Sequence, residues 1–337
     1  MHIKMKLRKY IRDYNMCIYK NMVFVLHKKC NASCAMCCFE SNPESVERLD
    51  INRIRKYVIE SKEISCITDV SFTGGEPFLE YRKLLDLCAL AKDCGKRVRT
   101  ITNGYWAASY NKALDRLSEL KENGVVKLTV SHDNYHSKYV ETECVNNVLK
   151  ACNEIGLNCD VSLVKIKNEK IGDLIDKMAE DLNNIPVNII PCLPVGGASK
   201  TFSLDDFDRK VTPGKTRCHY GSSFVVSYDG NIYPCCSQTI FDSVLNVGNF
   251  YDINLHSALY KLKNNSALYL LRNECMGDFV LWVKENTDIK IPSKVVNVCE
   301  LCGLLFSPSN VIKTKKYIDE RIGFLLSKRG VYGGSSF

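Results

Sequence analysis

Three cysteines near the start of the sequence are spaced closely enough to bind metal as a set. Cys30, Cys34 and Cys37 form the pattern CxxxCxxC. Three thiolates on one loop can ligate three irons of a [4Fe–4S] cubane cluster and leave the fourth iron open to a chelating ligand. A structural zinc site would need a fourth protein ligand and usually shows paired CxxC spacing. The pattern therefore favours an iron–sulfur cluster with one vacant iron.

The segment TGGEP at residues 73–77 places two glycines beside a carboxylate. Gly74 and Gly75 let the backbone approach a ligand closely, because glycine has no Cβ. The Glu76 carboxylate could accept a hydrogen bond from an amino group. Taken alone, the segment is more typical of a glycine-rich turn between a strand and a helix. The cysteine pattern upstream makes it a candidate cofactor site.

A second group of cysteines lies in the C-terminal part of the sequence, at Cys218, Cys235, Cys236, Cys299 and Cys302. Four of them could hold a second cluster, and zinc is the alternative, because sets of four thiolates also bind zinc. Cys235 and Cys236 are adjacent in an extended stretch, where successive side chains point to opposite faces. If Cys235 faces a metal group, the Cys236 thiol faces away and could donate a hydrogen atom. The alternative for Cys236 is a buried core cysteine.

Composition limits the class of protein. The chain has 18 cysteines among 337 residues, and in a long intracellular chain clustered thiols more often ligate metal than form disulfides. The net charge of +8 suits anionic cofactors, acidic peptides and nucleic acids alike, but no RNA-binding motif is recognisable. The sequence contains neither a membrane-spanning apolar run nor a secretory signal. We therefore expect a cytoplasmic protein that binds neither membrane nor nucleic acid.

The elements that must position these residues alternate between short β-branched runs and longer runs of helical period. Predicted strands cover residues 23–27, 66–72, 97–102, 125–131, 160–164 and 187–190. The helices between them begin with caps such as Asp50 and end near glycines such as Gly95 and Gly156. Six such units joined by right-handed crossovers give one parallel sheet. The sequence thus predicts an α/β fold, a partial (β/α)6 barrel, with its chemistry at the carboxyl ends of the strands.

The pattern changes after about residue 200 and predicts a second domain. Residues 223–228 and 231–233 flank Asp229 and Gly230, which is a strong signal for a β-hairpin. The predicted domains are a basic N-terminal extension at 1–21, the barrel at 22–200, an auxiliary domain at 201–328 and a flexible tail at 329–337.

The cysteine pattern after the first strand and GGEP after the second resemble the radical S-adenosylmethionine (SAM) superfamily. The resemblance implies that Cys30, Cys34 and Cys37 hold a [4Fe–4S] cluster, and that residues 74–76 receive the amino end of SAM. Asn103 and Ser131 match positions that commonly touch SAM, with ordinary loop capping as the alternative. The sequence departs from the family at Met36, where an aromatic residue is common, and at Gly197, where peptide-modifying members have arginine.

A hairpin flanked by cysteines and followed by CxxC resembles the twitch form of the SPASM domain. The whole chain resembles radical SAM epimerases of ribosomally made peptides (YydG type). The carrying segments are CNASCAMCCFESNP, FTGGEPFLEY, TNGYW, TVSHDNYHSKYV, DGNIYPCCSQTIF and CELCGLLF. The resemblance implies that Cys218, Cys235, Cys299 and Cys302 ligate an auxiliary [4Fe–4S] cluster, with Cys275 as a spare candidate.

The same resemblance implies a reaction. Cys236 would donate a hydrogen atom to an α-carbon of the precursor peptide and convert an L-residue into a D-residue, with SAM consumed. An electron donor such as flavodoxin or ferredoxin would be a further partner. The alternative is a peptide maturase that forms a thioether or a carbon–carbon crosslink.

Overall fold

The computed structural model describes residues 18–215, 217–218 and 223–328. These residues form two compact units. The larger unit contains residues 20–208 and 225–231, and the smaller unit contains the other described residues. The tail predicted at 329–337 and nearly all of the extension predicted at 1–21 lie outside the described residues. The predicted domain boundaries stay a prediction.

The larger unit is built from six parallel strands, each followed by helix. Its elements are β1 (Asn21–Val25), α1 (Ile51–Glu60), β2 (Asp69–Thr73), α2 (Tyr81–Asp93), β3 (Arg97–Thr102), α3 (Tyr110–Glu122), β4 (Val125–Ser131), α4 (Thr142–Ile155), β5 (Asn158–Lys165), α5 (Gly172–Asp176), α6 (Ala179–Leu182), β6 (Val187–Pro191) and α7 (Gly196–Thr201). Neighbouring strands pair in parallel from β1 through β6 in chain order. This arrangement confirms the predicted α/β fold with six strand–helix units.

Local sequence signals explain where the helices start and stop. The Asp50 carboxylate accepts the Arg53 amide at 2.8 Å and begins α1, and Ser109 caps α3 in the same way. Helix α4 ends at Gly156, whose φ of 61° is a left-handed conformation that glycine adopts without strain. The helix predicted around residues 174–182 is divided into α5 and α6.

Large apolar side chains fill the space between the strands and helices. Phe24, Phe72, Leu84 and Leu128 are fully buried. At about 25 cal/mol for each Å² of apolar surface removed from water, such residues supply most of the driving force for folding. The packed sheet fixes the loops at the carboxyl ends of its strands, which is where the candidate residues lie.

The smaller unit contains the second strand of a hairpin, together with helices. Beyond the barrel, the chain forms β7 (Ser223–Val226), β8 (Ile232–Tyr233), α8 (Leu255–Lys263), α9 (Ser266–Asn273), α10 (Met276–Asn286), α11 (Val298–Leu305) and α12 (Val311–Lys328). The turn between β7 and β8 is closed by the Ser227 amide, which donates to the Asn231 carbonyl at 2.9 Å, as the hairpin signal predicted. In the described part of the chain, none of these helices is long and apolar enough to cross a membrane.

Candidate active site

The loop that follows β1 carries the three N-terminal cysteines and is held by main-chain hydrogen bonds. The Cys30 amide donates to the Asn42 carbonyl at 3.1 Å, and the Cys37 amide donates to the Cys34 carbonyl at 3.0 Å. Two of the sulfurs also accept backbone amides at 3.4 Å: Ala32 donates to Cys30, and Ser41 donates to Cys37. Amide donors to sulfur stabilise the negative charge that ligand thiolates carry in iron–sulfur proteins.

The electrostatics of this loop suit a cationic metal group. Burial is the main cause that raises the pKa of the Cys30 thiol to about 12; the Ala32 amide lowers this pKa, and the charges of Glu76, Cys34 and Cys37 make smaller upward contributions. A bound metal deprotonates its thiol ligands, which offsets the effect of burial. Within the described residues, no three His, Cys, Asp or Glu side chains converge on one point as ligands of a single ion. Three thiols on one loop, two of them accepting backbone amides, are the donor set that a cubane cluster takes, with each ligand on a different iron. Their assignment as cluster ligands stays a prediction.

The two glycines after β2 pack against the cysteine loop itself. The Gly75 amide donates to the His27 carbonyl at 2.7 Å. A Cβ at Gly75 would lie only 2.1 Å from the Lys29 carbonyl oxygen, so any side chain there would push the two loops apart. The two glycines were expected to approach a ligand closely, whereas in the structure they approach the backbone of this loop.

The carboxylate of Glu76 is buried and forms its hydrogen bonds within the protein. The side chain is 1% exposed, and it accepts hydrogen bonds from the Phe78 amide at 3.0 Å, the Thr102 hydroxyl at 2.9 Å and the Asn103 amide at 2.7 Å. Burial outweighs these hydrogen bonds and raises the pKa of Glu76 to about 7. Glu76 thereby joins the carboxyl ends of β2 and β3, and its contact with SAM stays a prediction.

Asn103 and Ser131 lie where the later strands end. The Asn103 side-chain amide donates to Asn31 Oδ1 at 2.8 Å and lies 3.9 Å from the Cys30 sulfur, so Asn103 contacts the cysteine loop. Its own Oδ1 accepts the Tyr105 amide at 3.1 Å, which is the loop-capping role that was left open. Ser131 is half-buried at the end of β4. Their contacts with SAM also stay predictions.

Sequence reasoning missed an acid–imidazole pair after β4. His136 Nδ1 lies 3.0 Å from Asp133 Oδ1, and the preceding residue in the loop, Tyr135, has its carbonyl oxygen 3.8 Å from the Cys34 sulfur. Burial alone would lower the pKa of His136, but interactions with Asp133 and Cys34 outweigh it and raise the pKa to about 10. The only signal in the sequence was the segment HDNYH at a strand end, which gives no indication of contact with a cysteine about a hundred residues earlier.

Comparison with known proteins agrees with this geometry. A model of the Radical SAM superfamily matches residues 24–178. The chain is 31% identical over 323 residues to the peptide biosynthesis protein YydG of Bacillus subtilis (strain 168), a match that covers 89% of this chain and 98% of that protein. The chain belongs to the radical SAM superfamily. Membership implies that the protein uses SAM and a [4Fe–4S] cluster.

Two solved radical SAM structures share the fold. One is anSMEcpe with bound AdoMet and the Cp18Cys peptide, at 14% identity and a TM-score of 0.52, with 91% of this chain and 99% of that chain covered. The other is SuiB of Streptococcus suis bound to S-adenosylmethionine, at 16% identity and a TM-score of 0.52, with 74% of this chain and 67% of that chain covered. At these identities the likeness concerns the fold alone.

The second group of cysteines in this radical SAM protein comes together within the smaller unit. Cys218, Cys235, Cys299 and Cys302 lie close enough for their charges to act on one another. Burial raises the pKa of Cys299 to about 11, against a hydrogen bond with Ser237 and with smaller contributions from the charges of Cys218 and Cys236. Burial, followed by the charges of Cys235, Cys218 and Cys299, raises the pKa of Cys302 well above its ordinary value. The spare candidate, Cys275, instead donates to the Gly214 carbonyl at 2.9 Å. Their role as ligands of a metal group stays a prediction, and so does the choice between an iron–sulfur cluster and zinc.

The two adjacent cysteines after β8 differ in their surroundings. Cys235 is buried and 9% exposed, whereas Cys236 is an exposed residue. Burial of its sulfur nevertheless raises the pKa of the Cys236 thiol, against the lowering effect of a hydrogen bond with Ser223. Cys236 therefore favours the protonated S–H form. Both cysteines lie beyond the end of β8 at Tyr233, so strand alternation is not the cause of the contrast, and the role of Cys236 stays a prediction.

Proposed function

We propose that this protein is a peptide epimerase that converts L-residues into D-residues in a ribosomally made precursor peptide. The observation that carries the proposal is the contrast between two neighbouring thiols, buried Cys235 among three other cysteines and exposed Cys236. The 31% identity to a peptide biosynthesis protein supports a peptide as the substrate. A free thiol beside a metal-binding set is the arrangement that hydrogen-atom return requires.

In this proposal some residues bind cofactors and one residue delivers hydrogen. Cys30, Cys34 and Cys37 would hold the [4Fe–4S] cluster, with SAM received near residues 74–76, Asn103 and Ser131. When bound, SAM and the cluster supply a 5′-deoxyadenosyl radical that can remove an α-hydrogen from the peptide. Cys218, Cys235, Cys299 and Cys302 would hold the auxiliary metal group, which we propose is a second [4Fe–4S] cluster.

Cys236 completes the inversion. An α-carbon radical can flatten, and hydrogen from the Cys236 S–H bond, added on the face opposite to abstraction, leaves the D-residue. The sulfur radical that remains must regain one electron and one proton before the next turnover. A protein such as flavodoxin or ferredoxin would supply the electron, and SAM is consumed because the returning hydrogen comes from cysteine.

The test is turnover in deuterated water with candidate precursor peptides taken from short open reading frames near this gene. The Cys236 S–H exchanges with solvent, so the wild-type product should carry one deuterium at each inverted carbon. Cys236→Ala should still cleave SAM but form no D-residue, measured by chiral amino-acid analysis. Cys275→Ala is the matched control and should epimerise normally.

Two outcomes contradict the proposal. D-residue formation at the wild-type rate by Cys236→Ala would remove the hydrogen-donor role. A product that has lost two hydrogens would instead identify a crosslinking maturase, because epimerisation leaves the unlabelled mass unchanged.

A further inference from the structure

The side-chain amide of Asn103 joins the end of β3 to the cysteine loop. The side chain is buried, and its Nδ2 donates to Asn31 Oδ1 at 2.8 Å. The same nitrogen makes a longer hydrogen bond, of 3.9 Å, to the sulfur of Cys30. Nδ2 carries two hydrogens, so one can be donated to Asn31 and the other to Cys30. All three residues belong to the larger unit.

Other hydrogen bonds determine which way the Asn103 amide faces. Its Oδ1 accepts the Tyr105 amide at 3.1 Å. Turning the group over would place its NH2 against the Tyr105 N–H and its oxygen against Asn31 Oδ1, so the NH2 faces the cysteine loop. The main-chain amide of Asn103 donates to the buried Glu76 carboxylate at 2.7 Å, which holds the backbone from which the side chain projects.

Cys30 differs from Cys37 in the kind of donor that reaches its sulfur. Both sulfurs accept a backbone amide at 3.4 Å, from Ala32 and Ser41 respectively. Cys30 also accepts from the Asn103 side chain, which substitution can remove without altering the main chain. A thiolate bound to iron has lost its hydrogen and can only accept, so Asn103 is the donor when Cys30 is a ligand.

We propose that Asn103 donates a second hydrogen bond to the Cys30 sulfur and thereby raises the reduction potential of the [4Fe–4S] cluster that the N-terminal cysteines would hold. Hydrogen bonds to ligand sulfurs stabilise the additional negative charge of a reduced cluster. Asn103 acts on the iron through Cys30 and is therefore a positioning residue. The inference rests on the cluster that family membership implies and on the predicted ligand role of Cys30, and it does not depend on the peptide reaction.

The experiment is a redox titration of the anaerobically reconstituted full chain without SAM or peptide, monitored by electron paramagnetic resonance. The signal of the N-terminal cluster is identified as the one that Cys34→Ala lacks. Asn103→Ser removes the Nδ2 donor, while its hydroxyl can still accept the Tyr105 amide. The midpoint potential of that cluster should therefore shift to a more negative value. Asn103→Gln keeps an NH2 group and should restore part of the shift.

Tyr139→Phe is the matched control. The Tyr139 hydroxyl donates to the Ser33 carbonyl at 2.9 Å, so this variant loses a hydrogen bond to the cysteine loop but none to a sulfur, and its potential should equal that of the wild type. An unchanged potential in Asn103→Ser overturns the proposal. Loss of the cluster from Asn103→Ser also overturns it, because a donor of this kind adjusts a cluster that the three thiolates already hold.

The titration also separates this role of Asn103 from its predicted contact with SAM. Weaker SAM binding by Asn103→Ser, with the SAM-free potential unchanged, would assign the side chain to SAM alone and overturn the proposal. Failure of the epimerase proposal leaves the measurement intact, because neither peptide nor turnover enters it.

Discussion

At the scale of single residues, buried polar side chains of the site form their hydrogen bonds with other parts of the protein. Glu76 illustrates this, since each oxygen of its carboxylate accepts protein hydrogen bonds, from Phe78, Thr102 and Asn103. The sequence indicated that a carboxylate follows two glycines. It could not indicate that the carboxylate turns inwards, because the Thr102 and Asn103 donors come from a different strand and reach it only in the folded chain.

Glu76→Gln should therefore destabilise the protein. A glutamine has one oxygen and one NH2 group, so one of the donors that now face the carboxylate would face another donor. Leaving such a buried group unsatisfied costs roughly 1–3 kcal/mol of unfolding free energy. Thermal unfolding of the reconstituted protein, with iron content measured in parallel, checks the expectation.

Glu80→Gln provides the control in the same segment. Glu80 forms ion pairs with Arg48 at 2.9 Å and Lys83 at 3.2 Å, and both partners are about half exposed. Partly exposed pairs of this kind contribute about 0–1 kcal/mol. A loss of stability in Glu80→Gln as large as that in Glu76→Gln would contradict the role assigned to Glu76.

At the scale of elements, ion pairs join β2 to β3 at the start of β2, which is the end opposite to the site. Asp69 begins β2 and is the register partner of Arg97 on β3. Its buried carboxylate accepts the guanidinium of Arg97 at 2.8 Å and that of Arg99 at 2.9 Å. Burial would raise the pKa of Asp69, but hydrogen bonds from Thr68, Arg97 and Arg99 outweigh it and hold the pKa below its usual range.

This lowered pKa predicts an acid-sensitive contribution to stability. A carboxyl whose pKa is lower in the folded chain stabilises the fold at pH values above its ordinary pKa of about 4, and that contribution disappears as the pH falls through the lower, folded value. Asp69→Asn should cost roughly 1–3 kcal/mol near pH 7 and should flatten the acid limb of a plot of Tm against pH.

Asp86→Asn is the control, because Asp86 is exposed on α2. Its plot should follow that of the wild type, including any loss of cluster in acid that all variants share. If the acid limb of Asp69→Asn ran parallel to that of the wild type, the charge of Asp69 would not contribute to stability through Arg97 and Arg99, and the prediction would be wrong.

Elements are also the scale at which the sequence was most informative. Strands β3 and β4 have the predicted bounds, because β-branched residues fill both and a glycine precedes each of them. Strand β1 begins and ends two residues earlier than predicted. The contact of Cys34 with the Tyr135 carbonyl was not predictable, since it depends on how the turn after β4 packs against the cysteine loop, and periodicity reports only local structure.

At the scale of the whole molecule, each of the two units carries its own set of cysteines. If both sets bind cubane clusters, the anaerobically reconstituted protein should contain about eight irons per chain. Cys302→Ala and Cys34→Ala should each reduce that number to about four, and the double variant should approach zero. Iron and sulfide analysis with metal mass spectrometry provides the measurement.

Cys275→Ala is the matched control and should keep the full iron content, since its thiol is directed at the Gly214 carbonyl. Stoichiometric zinc in the wild-type protein, lost on substitution of Cys302 and unaffected by substitution of Cys34, would instead identify the auxiliary site as a zinc site.

The cysteine loop is confined by glycine backbone from two directions. A Cβ added at Gly75 would meet the Lys29 carbonyl oxygen, and one added at Gly197 would lie 2.8 Å from the Ala35 carbonyl oxygen. Neither position has room for a side chain, so alanine at residue 75 or 197 would have to displace the backbone of the loop that carries Cys30, Cys34 and Cys37.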